Sequence, residues 1–591
     1  MNNFFKSFFA SLLAFFVYSI ITVVLGVVLI TVVVISLSSK GALEIKSGTI
    51  LHITLSETIS DRVSDDILDR FSLSTLSSTK TLGLNDILAS LATAKTDDNI
   101  KGIYLDLGLV DTGFSTLDDI RSALLDFKES GKFIYCHADS FTQKAYFVST
   151  ASDSINLTPA GDLDLKGLSV QVFYYKNALA KLGLEPQIIR HGKFKSAVEP
   201  YILDEMSEEN RTQLNSYVSA VWNDSVAKIG KARNIAPSKL NAWADSLSVT
   251  TAEKALDYKL IDGLKYSDEV YSDLASLTSS ASVNDLKFIE LPQYIAHANT
   301  SIAAKVSENE IAVIYALGAM EMGSGSATTI GSAGLGEAIR TARDNDKVKA
   351  IVLRVNSPGG DALAAEIILR EVKRAHEKKP VIVSMGEYAA SGGYYIACAA
   401  DKIIAGNDTL TGSIGVFGMY FSAEKLLGDK LGVTVNAVNT NRNSDIGTIT
   451  RPMSAEEQKY KQAQIEDIYR KFVAHVAEGR NMSADKVDSI GQGRIWSGAD
   501  ALKIGLVDEI GGLDYAIKKA AEIAEITDYR IVNLPVPKNA FEQFTDNFSS
   551  SVRNKIAAET AGTEYVYYEK LKELLEIRGI QARMPYLLEI Y

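Results

Sequence analysis

The stretch Lys349-Ala-Ile-Val-Leu-Arg-Val355, Asn356-Ser-Pro-Gly-Gly360, a helical segment, Pro380-Val-Ile-Val-Ser-Met385 and Ala389-Ala-Ser-Gly-Gly-Tyr-Tyr395-Ile-Ala-Cys-Ala-Ala-Asp401 decides the fold, because the chain contains it twice. About 248 positions earlier stand Lys101-Gly-Ile-Tyr-Leu-Asp-Leu107, Lys132-Phe-Ile-Tyr-Cys136 and Ala145-Tyr-Phe-Val-Ser-Thr-Ala-Ser-Asp153. The register holds across both blocks, which marks a duplication rather than chance similarity. The copies differ at telling positions. Copy one has Gln143 where copy two has Ser391, and Asp111 and Thr112 where copy two has Gly359 and Gly360. One half has lost parts that the other keeps, so a division of labour is expected.

Working outward, each copy opens on a β-branched, apolar run: Gly48-Thr-Ile-Leu-His-Ile-Thr-Leu55 and Glu310-Ile-Ala-Val-Ile-Tyr-Ala316. Each is expected to close on a strand ending in Leu-Pro, over 288–292 and 531–535. Between them, short apolar runs alternate with helical segments. Ala364, Ile368, Val372 and Ala375 fall on one helical face, with Asp361 placed to cap the first turn. Short continuous strands alternating with amphipathic helices predict parallel α/β units covered on both faces. A further matched pair, Thr251-Ala-Glu-Lys-Ala-Leu256 through Leu260-Ile-Asp262 and Ser497-Gly-Ala-Asp-Ala-Leu502 through Leu506-Val-Asp508, extends the repeat over nearly all of each unit.

At 591 residues the chain has room for two such units. With a net charge of −12 and no Lys/Arg run, it lacks the basic face of a nucleic-acid binder. The two cysteines, Cys136 and Cys398, sit among apolar neighbours without ligand spacing and read as small buried hydrophobes. No charge falls between Lys6 and Lys40, and residues 12–37 are almost wholly apolar. That run exceeds the roughly 20 residues that span a bilayer and the roughly 7–15 of a cleaved signal's apolar core. A single anchor is expected, with the N-terminus cytoplasmic and everything after residue 40 exported. The domain reading is therefore an anchor and juxtamembrane segment over 1–47, a first repeat over 48–300, a second over 301–538, and a tail over 539–591 expected to be helical, with a helix over 565–577.

Ser391 stands where a turn gives way to a helix, flanked by Ala390 and Gly392-Gly393, a setting that exposes a hydroxyl and lets a substrate approach the backbone. The plain packing reading is that these small residues let a helix lie against a sheet. The Gly359-Gly360 turn adds free amides of the kind that hold an oxyanion. A serine hydroxyl needs a base. Of six histidines only His475 follows Ser391, in a helical stretch with nothing to mark it. The other route is a lysine whose pKa burial lowers toward 7–8, and with 61 Lys and Arg residues, composition cannot select one.

Four motifs in order, Lys193-Phe-Lys-Ser-Ala-Val-Glu-Pro200, Asn356-Ser-Pro-Gly-Gly360, Ala389-Ala-Ser-Gly-Gly-Tyr394 and Leu410-Thr-Gly-Ser-Ile-Gly415, behind an apolar leader, resemble the signal peptide peptidase A (protease IV) family in its long form. The likeness spans about residues 48–535. It implies two tandem repeats of the Clp/crotonase fold after one transmembrane helix. It also implies Ser391 as nucleophile, Lys195 as base, and Ser413 as the lysine's hydrogen-bond partner. Gly360 and Gly392 are assigned to the oxyanion hole. Lys193 reads as a solvated charge, and Glu199 and Pro200 as structural. The resemblance implies no metal or cofactor, a homotetramer, an inner-membrane location with a periplasmic body, and hydrophobic peptides such as cleaved signal peptides as substrates. Aligning copy two to Lys195 lands near Arg442-Asn443-Ser444, where no lysine stands. Two other classes stay open: a crotonase-like acyl-CoA enzyme, which gains nothing from export, and a catalytically silent membrane scaffold.

Overall fold

Two sheets follow from the duplicated runs, the first parallel and the second parallel except at its edge, where Ile495–Ser497 runs antiparallel to Leu410–Gly412. The first, in spatial order, is Gly263–Leu264, Ser154–Leu157, Phe133–Ala138, Ile100–Asp106, Thr49–Ile53 and Phe288–Glu290, all parallel. The second runs Ile495–Ser497, Leu410–Gly412, Val381–Ala390, Val348–Ser357, Glu310–Leu317 and Arg530–Leu534, with Lys402–Ala405 and Glu509–Ile510 branching from Val381–Ala390. The structure, a computed structural model, describes residues 13–18, 21, 45–63, 71–72, 77–78, 81–303, 306–326, 328–535 and 580–584. Residues 48–591 form one compact unit and residues 1–47 another. Among the described residues no helix is long and apolar enough to cross a membrane. The apolar run over 12–37 lies, except for residues 13–18 and 21, outside the described residues, as does the helix expected over 565–577.

Near-continuous apolar strands are what a sheet covered on both faces requires. Ala312, Ile314 and Ala316 point to one side, where Ile368, Val372 and Ala375 of helix Ala362–His376 pack against them in a single cluster. Ile311, Val313 and Tyr315 point to the other, against Leu513, Ala516 and Ile517 of helix Leu513–Ile523. Each large aliphatic side chain buried this way contributes about 1.5–3 kcal/mol. Asp361 caps its helix as expected, its carboxylate accepting from the Ala364 amide at 2.9 Å.

Matched side-chain hydrogen bonds recur in the two repeats. Tyr146 donates to the Leu260 carbonyl at 2.7 Å, and Tyr394, its counterpart, to Leu506 at 2.8 Å. Arg233 forks onto Asp262, which accepts from the Ile155 amide; Arg480 forks onto Asp508, which accepts from Ile403. One expectation is corrected. Leu291 opens helix Leu291–Ala303 instead of ending a strand, because a proline at the second helical position carries no amide the helix needs. The described residues of the tail, 580–584, include a strand, Ile580–Arg583.

The two repeats join through buried charge and a shared sheet. Arg354, wholly buried, donates to Asp61 at 2.5 Å and Asp119 at 3.4 Å, both from repeat one. Asn356 donates to the other Asp61 oxygen at 2.5 Å. A third sheet runs Thr329–Gly331, Ala319–Glu321, Gly359–Asp361, Ile580–Arg583, Phe417–Ser422 and Glu185–Arg190. In it Glu185–Arg190 of repeat one pairs antiparallel with Phe417–Ser422 of repeat two, Arg190 opposite Phe417.

Candidate active site

Strand Val381–Ala390 delivers Ser391 at its carboxyl end, just before the short helix Gly392–Ala397. Its backbone is left-handed, with φ 55° and ψ −112°. A non-glycine residue adopts this conformation only where its surroundings hold it there. Two bonds do so: the Ser391 amide donates to the Gly412 carbonyl at 2.8 Å, and its carbonyl accepts from Tyr395 at 2.8 Å. Gly393 is required next to it, since a Cβ there would lie 2.7 Å from the Ser357 carbonyl oxygen.

Lys195 arrives from the other repeat. The cross-repeat pairing ends at Arg190, and the chain returns over Gly192 into the turn Ser196–Val198 with Lys195 at its head. Its Nζ lies 2.9 Å from Ser391 Oγ, 3.0 Å from Ser413 Oγ and 3.2 Å from the Ser413 carbonyl oxygen. The Ser391 hydroxyl also reaches the Gly415 carbonyl at 3.3 Å. Lys195, Ser391 and Ser413 are all within 1% of complete burial. Among the described residues no carboxylate contacts the lysine nitrogen; burial acts on it and lowers its pKa to about 7. An amine poised there exchanges its proton near neutral pH and in its neutral form can accept one.

Groups with no signal in the sequence hold the lysine. Arg190 donates to its carbonyl at 3.1 Å. Gln213, in helix Glu208–Arg233, donates to the Phe194 carbonyl at 3.1 Å and to Ser196 Oγ at 2.8 Å while accepting from the Ile495 amide at 3.1 Å. Gly493, at φ 79°, lies so close that a Cβ would sit 2.6 Å from Lys195 Cβ. Glu199, buried beside the lysine turn, accepts from Ser207 Oγ at 2.6 Å, which agrees with a structural part.

The remaining candidates separate cleanly. Lys193 is exposed and lies over the Phe194 ring, 5.3 Å from its centroid. His475 is engaged elsewhere, its ring nitrogens 3.1 Å from Glu366 and 3.3 Å from Lys373. Gly360 and Gly392 lie against each other next to Ser391: a Cβ on Gly392 would lie 3.2 Å from the Gly360 nitrogen. In copy one the position of Ser391 is filled by Gln143, whose side chain closes the Lys166-Gly167 turn by accepting from both amides at 2.8 and 2.9 Å. Cys136 and Cys398 are buried and free, and burial raises both thiol pKa values, that of Cys398 to about 12. Among the described residues no cluster of His, Cys, Asp and Glu could hold a metal ion.

The profile of Peptidase family S49 matches this chain twice, over residues 126–280 and 373–527. Protease 4 of Salmonella typhi is 36% identical over 480 residues, covering 80% of this chain and 76% of that protein. Protease 4 of Haemophilus influenzae is 32% identical over 556 residues, covering 92% and 89%. The chloroplastic serine protease SPPA of Arabidopsis thaliana is 32% identical over 552 residues, covering 91% and 78%. Matched in both repeats and along most of the length of these relatives, the chain belongs to peptidase family S49 and is a serine peptidase of the tandem-repeat form.

Proposed function

We propose that the chain is a membrane-anchored serine endopeptidase working outside the cytoplasm on hydrophobic peptides, cleaved signal peptides among them, through a Ser391–Lys195 dyad. The observation that carries this reading is the 2.9 Å contact between Ser391 Oγ and a buried lysine whose pKa lies at about 7. Neutral Lys195 takes the hydroxyl proton as Ser391 Oγ attacks the peptide carbonyl carbon. The oxyanion forms against the Gly360 and Gly392 amides, which need no reorganisation to receive it. Lys195 then gives its proton to the leaving amine, and in its neutral form activates the water that hydrolyses the acyl-enzyme. Ser413 fixes the neutral lysine by accepting its two N–H bonds at Oγ and at the carbonyl oxygen, which leaves the nitrogen lone pair for the Ser391 hydroxyl. The anchor rests on the apolar run over 12–37, and the tetramer and the Clp/crotonase-type scaffold on the family resemblance.

A fluorophosphonate probe tests the chemistry. Ser391 labelled in the wild type and unlabelled in Lys195→Ala is the expected result, and equal labelling in both removes Lys195 as base. Protease added to intact spheroplasts tests the topology. Digestion of the body beyond residue 48 is expected, and protection until lysis reverses the orientation.

A further inference from the structure

One turn, Gly491-Gln492-Gly493, frames the lysine and its partner Ser413. The Phe194 amide donates to the Gln492 carbonyl at 2.9 Å, and a Cβ on Gly192 would lie 2.4 Å from the same oxygen. Just past Gly493, which abuts Lys195, the Arg494 carbonyl accepts from the Ser413 amide at 2.7 Å. Gln492 itself is left-handed, at φ 54°. A residue with a side chain keeps that conformation only where its surroundings impose it.

Two helices of repeat two supply those surroundings. The Gln492 amide donates to Tyr469 Oη, in helix Ala455–Gly479, at 3.2 Å. The Gln492 side-chain amide donates to Asp488 Oδ1, in helix Ala484–Ile490, at 2.5 Å, and the Tyr469 hydroxyl donates to that same oxygen at 2.6 Å. A Cβ on Gly491 would lie 3.2 Å from Tyr469 Oη, so the hydroxyl is seated in the turn. Tyr469 is buried, and burial together with the Asp488 carboxylate pushes its phenol pKa up, which keeps the donor proton in place over the working pH range. His191 of repeat one stacks on the tyrosine ring, centroids 3.7 Å apart and planes within 23°. It stands one residue before Gly192, whose carbonyl accepts from the Lys195 amide at 3.3 Å. Tyr469 thus touches both backbone segments that hold the lysine.

The duplication shows what is particular to this arrangement. Ser207 and Ser454 cap corresponding helices and stand 247 positions apart, as do Arg233 and Arg480. At the same spacing Tyr469 matches Trp222 and Asp488 matches Asn241. The bond between the two helices is kept in repeat one, where Trp222 Nε1 donates to Asn241 Oδ1 at 2.7 Å. An indole N–H only donates, whereas a phenol both donates and accepts. The hydroxyl of repeat two therefore does what the indole cannot, receiving the Gln492 amide while still bonding the neighbouring helix.

We infer that Tyr469 and Asp488 are positioning residues for the dyad, fixing the Gln492 turn so that Lys195 Nζ stays within hydrogen-bond reach of Ser391 Oγ. The inference rests on the dyad reading above. Neither side chain contacts Ser391 or the lysine nitrogen; both act through the backbone of the turn. Their loss therefore displaces the base and slows the chemical step while peptide binding is kept.

The experiment compares the full-length wild type with three variants. Tyr469→Phe keeps the ring on His191 and loses the hydroxyl. The paired change Tyr469→Trp with Asp488→Asn rebuilds the bond of repeat one, and Asp488→Asn alone keeps an acceptor oxygen for both donors. The kcat and KM for an added hydrophobic peptide and the rate of fluorophosphonate labelling at Ser391 are measured, with circular dichroism as the folding control. Tyr469→Phe and the paired variant are each expected to lose about tenfold in kcat and in labelling rate at a KM within about twofold of wild type, while Asp488→Asn stays within about threefold in kcat. Wild-type kcat and labelling in whichever of Tyr469→Phe and the paired variant is folded overturns the inference and leaves the dyad standing, and so does a loss carried by KM alone. Ser391 unlabelled in the wild type overturns the dyad reading and the inference with it.

Discussion

At the residue scale, the proposed nucleophile and base would act as one unit, so their losses should not add. Ser391→Ala and Lys195→Ala are each expected to lower kcat/KM by about 10⁴-fold or more, and the double variant no further. Steady-state kinetics on a hydrophobic peptide, with circular dichroism as a folding control, checks this. Lys195→Arg should be equally inactive, because a guanidinium stays charged across the working range. Lys193→Ala, altering a solvated charge, should leave turnover near normal. The pH profile has a defined sign. Below about 7 the lysine carries its proton and cannot accept another, so kcat/KM rises through pH 7 and then levels; an unperturbed lysine would put that limb near 10.5. Measured between pH 5 and 10, the limb should persist in His475→Ala, whose imidazole is occupied by Glu366 and Lys373. Its disappearance there would transfer the base role to the histidine.

Turns rather than helices or strands set the dyad distance at the element scale. The Gly493 turn presses against Lys195, and a methyl at that position would strike both its Cβ and its backbone nitrogen at 2.6 Å while demanding a φ of 79°. Gly493→Ala should therefore cost about 1–3 kcal/mol of stability and displace the ammonium. A fall in kcat of tenfold or more at little change in KM is the expected signature, since a misplacement of about 1 Å costs on the order of 10²-fold in rate. An unchanged kcat would show that the lysine does not depend on this turn. None of this was legible in the sequence, because Gly493 lies 298 positions from Lys195 and belongs to no recognised motif.

For the whole molecule, the question is what holds one repeat on the other. Arg354 ties Asp61 and Asp119 of repeat one to the strand that leads into Asn356-Ser-Pro-Gly-Gly360, and Asn356 shares Asp61. Replacing one member of a buried ion network leaves its partner's charge uncompensated. Arg354→Met is accordingly expected to destabilise the chain by about 3–5 kcal/mol, read by chemical denaturation. Adding Asp61→Asn, which removes the orphaned charge, should recover part of that loss. A stability unchanged by Arg354→Met would show that the network does not hold the repeats together.

The sequence by itself determined the duplication, the α/β class and the helix cap at Asp361, and it offered Ser391 as a candidate nucleophile; Lys195 became a candidate only through the family resemblance. The first three are written in local composition or in segments that repeat at fixed spacing, and short-range sterics and amphipathic periodicity act on neighbouring residues. The sequence left open whether the dyad closes within one chain, and the structure answers it: strand Glu185–Arg190 crosses to repeat two and carries Lys195 to Ser391. Tertiary structure alone also decided the place of Gln213 and Gly493 around the lysine, the buried bridge at Arg354, and the strand at Ile580–Arg583 between the edges of Gly359–Asp361 and Phe417–Ser422. Four tail residues carry no periodicity that announces a strand. Their pairing is set by two backbone edges, from segments far earlier in the chain, that come to lie one strand apart only when the two repeats pack together.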